Sequence, residues 1–203
     1  SVLEALRELD NNCAAIFITS DKAYDNVEWV WGYRETDALG GPDPYSGSKG
    51  AAELAIKSYV RSFFPSGSSI RIGIGRAGNV IGGGDWAADR IIPDCVRSWS
   101  EGETVKLRRP KATRPWQHVL EPLSGYLSLA AELKVSGELH GEAFNFGPNL
   151  EQNYTVAEVV SDMAHYWEGA NWEDVSEKDV STVYESTLLR LNCDKALHLL
   201  RWH

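Results

Sequence analysis

Methionine occurs once and cysteine three times in 203 residues. The thiols of Cys13, Cys95 and Cys193 are far apart, odd in number and outside any metal-ligand spacing. That argues against a disulfide framework or a cysteine-built metal centre and for buried or idle thiols in a reducing cytoplasm. Long apolar runs are missing as well. No stretch approaches the ~20 residues that a membrane-spanning helix needs, and the opening SVLEALRELDNN reads as an amphipathic helix rather than a signal peptide. Positive charge is scarce: 20 Lys and Arg stand against 29 Asp and Glu, a formal net charge of -9. This argues against a general nucleic-acid or anionic-membrane partner. The chain also has no internal repeat and no low-complexity tract.

What is present is ordinary for a globular protein, with 43% hydrophobic and 24% charged residues, enough for one core or one and a half domains. A helix over about Val2 to Leu9 leads into AAIFITS, whose uninterrupted apolar character suits a parallel strand covered on both faces. A polar, Trp-containing loop follows. Then comes DPYSGSKGAAELAIKSYVRSFF, a helix with Asp43 as N-cap and Pro44 at the first helical position, ending before Pro65. SSIRIGIGRAGNVIG reads as the next strand. Helix, strand, helix, strand predicts a doubly wound α/β sheet. From Gly82 the texture changes. GGGDW is a flexible break, DRIIPDCVRSW a short helix, ETVKLRR a strand, VLEPLSGYLSLAAELK a helix and EAFNFG a short buried strand. TVAEVVSDMAHYW opens with a capping box, Thr155 answered by Glu158, and CDKALHLLRW is a final amphipathic piece.

Gly73, Gly75 and Gly78 satisfy G-x-G-x-x-G, but the first two lie inside a strand and NVIGGGDW, not an apolar helix, follows. The dinucleotide loop is therefore rejected, and close approach of the backbone to a ligand is the expectation instead. Tyr45-Ser-Gly-Ser-Lys49 is the stronger signal. Residues four apart share a helix face, and a cation one turn away favours the phenolate that a base at neutral pH requires. Gly47 and Gly50 weaken that helix by about 1 kcal/mol each relative to Ala, a cost that makes sense if something packs flush against it. ITSDKAYDN places Ser20, Asp21 and Lys22 at a strand tip, where such sheets open onto ligands. The stretch Val105 to Arg114 carries five cations and no acid, read either as a solvated loop or as a pocket for a small anion such as a diphosphate. His118 and His140 lack an identifiable partner and are expected to be structural. Trp116 is assigned to the core.

In their order, ITSDKAYDN, PYSGSKGAAE, RAGNVIGGGDW, RPWQHVLEP and EAFNFGPN resemble the extended short-chain dehydrogenase/reductases that act on nucleotide sugars. Within them the likeness is greatest to the CDP-glucose 4,6-dehydratases. The resemblance implies a Rossmann-type core, tightly held NAD, and a smaller mixed α/β lobe gripping the nucleotide sugar. The division it suggests is residues 1–82 as the C-terminal part of the NAD-binding core and 83–115 as substrate lobe. Residues 116–149 then return to the core, and 150–203 are a truncated second part of the lobe. It also implies a cytoplasmic enzyme of deoxysugar and O-antigen biosynthesis, paired into a homo-oligomer through a bundle that includes the Tyr45 helix. The family's glycine-rich loop stands roughly a hundred residues before the Tyr motif, so this chain reads as a fragment lacking that part. Its end at LLRWH, with Arg201 where relatives have Gly before Trp, reads as premature.

By the same resemblance Tyr45 is the base at the sugar's 4-hydroxyl, Lys49 its partner and ribose anchor, Ser20 a hydrogen-bonding group and Asp21 the general acid. Related dehydratases of other nucleotide sugars read Thr-Asp-Glu at the tip, so Lys22 stands at the position of the base for carbon 5. It acts there either as a neutral amine or as a charged stabiliser of the enolate. Asn79 and Arg114 match positions that touch sugar and diphosphate. Arg90 and Pro93 are further candidates for nucleotide contact. Two other readings are a 4-epimerase of the same fold, which has no need of Asp21 and Lys22, and a non-catalytic nucleotide-sugar binding module.

Overall fold

A computed structural model describes residues 1–149, 151–152, 154–178 and 188–203. Helix α1 (Val2–Arg7) is followed by strand β1 (Cys13–Ile18), a 3-10 turn over Asp21–Ala23, and helix α2 (Pro44–Phe63). Strands β2 (Ile70–Ala77) and β3 (Val80–Ile81), helix α3 (Ile91–Ser100), strands β4 (Val105–Leu107) and β5 (Gln117–His118) and helix α4 (Leu120–Val135) come next. Strand β6 (Ala143–Phe146), helix α5 (Val156–His165), strand β7 (Trp172–Asp174), a 3-10 turn over Ser176–Lys178 and helix α6 (Asp194–Leu200) complete the described elements. The expected elements occur at their expected places, with two differences. The stretch predicted as one strand breaks at Gly78-Asn79 into β2 and β3, and the short strands β5 and β7 were not anticipated.

The central sheet is parallel, in the order β1-β2-β6. Strand alternation sends every second side chain to one face. Ile70, Ile72 and Ile74 of β2 pack with Leu3 and Leu6 of α1 and with Ile56 and Val60 of α2. On the opposite face Phe144 and Phe146 of β6 pack with Tyr126, Leu129 and Leu133 of α4, and with Ala196 and Trp202. Helices α2 and α4 thus cover opposite faces, although both connections step across the sheet in the same direction; the two crossovers are of opposite hand.

The glycines of the G-x-G-x-x-G match serve this packing, which corrects the expectation of ligand approach for the first two. A Cβ on Gly73 would lie 2.9 Å from Leu129 and Leu133, and one on Gly75 would lie 2.6 Å from Tyr126. They let α4 settle close onto β2. Gly78 is different: a Cβ there would meet Pro115 at 2.4 Å and the Asp21 carboxylate at 3.3 Å.

A second cluster joins Cys95 and Trp99 of α3, Val105 and Leu107 of β4 and Val160 of α5, with β4 paired to β7 in parallel. The residues expected in a substrate lobe therefore divide. Elements α3, β4, α5 and β7 share this cluster, whereas α6 and Trp202 sit on the sheet. The capping box is formed, with Glu158 N donating to Thr155 Oγ1 at 3.2 Å and Thr155 N to Glu158 Oε2 at 2.7 Å. Arg201 ends α6 at φ 54°, the left-handed conformation in which helix ends commonly place Gly. Cys95 is buried among α3, β4 and α5, and burial pushes its thiol up to about 12; the same cause acts at Cys193. Neither is a nucleophile at neutral pH. No helix among the described residues is long and apolar enough to cross a membrane.

Candidate active site

Strand β1 ends where Thr19 N donates to Gly75 O at 2.8 Å. Ser20 is extended and caps the following 3-10 turn, its Oγ accepting from Lys22 N at 3.2 Å and donating to Asp21 Oδ1 at 2.9 Å. Asp21 is only 4% exposed, and its Oδ2 finds no hydrogen-bond partner among the described residues. Burial raises its pKa, against the opposing pull of Lys22, the Ser20 hydroxyl and Arg114. A carboxyl so placed keeps its proton to higher pH than a surface aspartate, which suits it to donate one.

Across from the tip, Asp43 starts α2. Its carboxylate accepts from Tyr45 N and Ser46 N, both at 3.0 Å, and from Ser46 Oγ at 2.6 Å. Pro44 has no N–H to leave unsatisfied in this turn. The cap sets Tyr45 in the first turn, 53% exposed, with the Lys49 ammonium 5.5 Å from its ring centroid. Behind the pair, a Cβ on Gly50 would lie 2.9 Å from Gly40 N and 3.3 Å from Ala23 O. The chain running from the strand tip therefore packs flush on the helix, as the glycine predicts. Gly47 has only Gly41 O within 4.0 Å.

Between tip and helix lies an open cleft of about 1260 Å³. Ser20, Asp21, Lys22 and Tyr45 line it, together with Asn79, Arg90, Pro93 and Arg114. Asn79 stands at the break between β2 and β3, held where Gln117 N donates to its carbonyl at 3.0 Å. Arg90 precedes α3 and is exposed, while Pro93 is buried within it. Lys49 is half-buried beside Tyr45 and does not line the cleft. Of the five cations between Val105 and Arg114, only Arg114 does. Lys106, Arg108 and Lys111 are exposed and Arg109 half-buried, so the solvated-loop reading holds for most of that stretch.

Trp116 is not core. It is half-buried, lines the cleft and donates from Nε1 to Tyr154 O at 3.2 Å; Trp86, 62% exposed, lines it too. His140 is structural, its Nδ1 accepting from Ile72 N at 3.0 Å and its other nitrogen 2.9 Å from Phe64 O. His118 is exposed and its Nδ1 accepts from Leu120 N at 3.3 Å. Arg190 escapes sequence reasoning. It lines a small pocket together with Arg114, Asn149 and Gln152, and its buried Nε lacks a partner among the described residues. Nothing in its local sequence distinguishes it from a surface arginine.

The donor set suits a nicotinamide dinucleotide. A half-exposed phenol with an ammonium one turn away opens onto a cleft of ample volume, and a buried carboxyl with an orphaned oxygen faces the same space. Comparison with known proteins agrees. The chain is 47% identical over its whole length to a CDP-glucose 4,6-dehydratase of Salmonella typhimurium and spans 57% of that relative. Among solved structures it resembles UDP-glucuronic acid 4-epimerase of Bacillus cereus, a complex with UDP-glucuronic acid and NAD. The TM-score is 0.81 at 19% identity, over 100% of this chain and 59% of that one. It also resembles dTDP-glucose 4,6-dehydratase of Bacillus anthracis in complex with NAD, with a TM-score of 0.70 at 19% identity over 93% and 55% of the two chains. These likenesses establish a Rossmann-type α/β fold. The model of the NAD dependent epimerase/dehydratase family matches residues 1–147, and the chain belongs to that family.

Proposed function

We propose that the full-length protein dehydrates a nucleotide sugar, CDP-glucose, to its 4-keto-6-deoxy derivative with NAD as resident cofactor. The observation that carries this reading is Asp21: a buried carboxyl inclined to hold its proton, beside Lys22 and in one cleft with Tyr45. A simple epimerase needs no such acid. Bound NAD supplies oxidation at carbon 4 and reduction at carbon 6. Tyr45 takes the proton of the 4-hydroxyl, and Lys49, one helical turn further on, anchors the ribose. Ser20 hydrogen-bonds the same oxygen. The new ketone acidifies the carbon 5 hydrogen; that proton passes to the base at the Lys22 position, its electron pair forms the carbon 5–carbon 6 double bond, and Asp21 protonates the departing 6-hydroxyl, so water leaves as the carbon–oxygen bond breaks. Arg114 and Asn79 grip the diphosphate and sugar, and Arg90 and Pro93 contact the nucleotide. The outer face of α2, with Ala51, Leu54 and Ala55 exposed, supports pairing of copies through that helix. Free thiols and a nucleotide-sugar substrate both suit the cytoplasm.

Full-length protein incubated with NAD and CDP-glucose should yield a product with the ultraviolet absorbance of a 4-keto-6-deoxy sugar in base. The galacto isomer would mark an epimerase, and binding without turnover a non-catalytic module; either result would refute dehydration.

Lys22 is placed for the carbon 5 step. Lys22→Met should suppress solvent exchange at carbon 5 while oxidation at carbon 4 remains measurable, and unchanged elimination would end this assignment. Lys22→Arg keeps the charge but not a usable base, so retained exchange in that variant assigns Lys22 to enolate stabilisation. Arg114→Ala should raise KM about tenfold to a hundredfold with little change in kcat, because a charged hydrogen bond to phosphate binds ground and transition states alike. A kcat defect at normal KM contradicts that role.

A further inference from the structure

We propose that the buried Glu53–Arg76 pair, bonded to Thr19, Tyr24 and Asn145, positions the strand tip carrying Ser20 and Asp21 against the helix carrying Tyr45 and Lys49. The inference rests on the dehydratase reading and adds Glu53, Arg76, Tyr24 and Asn145, which do not line the cleft, together with Thr19 at its edge. Glu53 lies two helical turns beyond Tyr45, on the buried stripe of α2 with Ser46, Gly50, Ile56 and Val60. Its Oε1 accepts from Thr19 Oγ1 at 2.7 Å and from Arg76 Nε at 2.6 Å, and its Oε2 accepts from Arg76 Nη2. Arg76 Nη1 donates to Tyr24 Oη at 2.6 Å, and Tyr24 donates to Asn145 Oδ1 at 2.7 Å. Asn145 Nδ2 continues to Tyr33 O at 2.8 Å. Glu53, Arg76 and Asn145 are fully buried.

Strand alternation explains the assembly. Thr19, Arg76 and Asn145 lie at the ends of β1, β2 and β6 and continue the row that faces α2, so the apolar stripe turns polar beside the cleft. A buried ion pair seldom stabilises a fold more than well-packed apolar residues would. What apolar packing lacks is direction, which hydrogen bonds supply. Three of the bonded side chains stand close in the chain to cleft residues. Thr19 precedes Ser20, Tyr24 closes the turn that carries Asp21 and Lys22, and Arg76 stands three residues before Asn79. Glu53 ties these to the Tyr45 helix.

Thr19→Val in the full-length enzyme removes the bond between tip and helix while sparing Glu53–Arg76. The expected protein melts near the wild type. Its kcat falls about tenfold to a hundredfold, the scale of a slight misplacement of reacting groups, at unchanged KM. Because Tyr45 and Lys49 stay in place while Asp21 loosens, the 4-ketohexose should accumulate before water loss, trapped by borohydride as the galacto epimer. Thr19→Ser should restore turnover. Independently of activity, amide hydrogen exchange in Thr19→Val should quicken at Ser20 to Lys22 and not along α2. Wild-type turnover without trapped 4-ketohexose, or unchanged exchange at the tip, overturns the proposal. A wild type inert toward CDP-glucose defeats the dehydratase reading, and the exchange measurement still decides the positioning.

Discussion

Replacing Asp21 by Asn should abolish dehydration and stabilise the fold in one change. Loss of a positioned proton donor lowers kcat by about a hundredfold to ten-thousandfold. Stability moves the other way because burial raises the Asp21 pKa in the fold. A carboxyl with a raised folded pKa contributes stability that is fully present below its unfolded value and is lost as pH rises through the folded one. Asn is neutral throughout. The melting temperature of Asp21→Asn should therefore match the wild type in acid and exceed it increasingly as pH rises through the folded pKa. Wild-type kcat should fall over the same interval, as the acid loses its proton. Thermal unfolding across a pH series checks this; a variant that melts lower at every pH would show that Asp21 is held by its bonds rather than strained by burial.

Arg76→Ala should be the most destabilising of these changes, at about 3–5 kcal/mol, because it leaves the Glu53 carboxylate buried without its counter-ion. Set against the 5–15 kcal/mol typical of a whole domain, that is a large fraction. The double change Glu53→Leu with Arg76→Met should recover most of the loss, since the unpaired charge goes with the pair. If the pair positions the tip, activity should not recover with stability. Denaturant unfolding of the two single variants and the double one measures the coupling; additive losses would mean the two side chains act independently.

The sequence made the Tyr45 helix legible because its cap, its proline and its phenol–ammonium spacing are all local. The same holds for the Thr155 capping box and for the apolar strands on either side of α2. Other features depend on partners far along the chain. Glu53 looks like any helical glutamate until Arg76 is seen opposite it, and Arg76 interrupts an alternating strand without showing where its charge goes. The one available clue was the spacing Ser46, Gly50, Glu53, Ile56, Val60, which puts Glu53 on the buried stripe of the helix. Trp116 was misassigned because an aromatic beside a proline carries no mark of facing a cleft. Gly73 and Gly75 looked ligand-facing because the helix that fills their space, α4, begins more than forty residues later. The two-residue strands β3 and β5 have no periodicity to read, and their register comes only from tertiary pairing.

Tracing one hydrogen tests the account most directly. Full-length protein with unlabelled NAD and CDP-glucose deuterated at carbon 4 should give a 4-keto-6-deoxy sugar with the deuterium at carbon 6 of the same molecule and one solvent hydrogen at carbon 5. Deuterium still at carbon 4 of an epimerised sugar, with no solvent hydrogen at carbon 5, would contradict it.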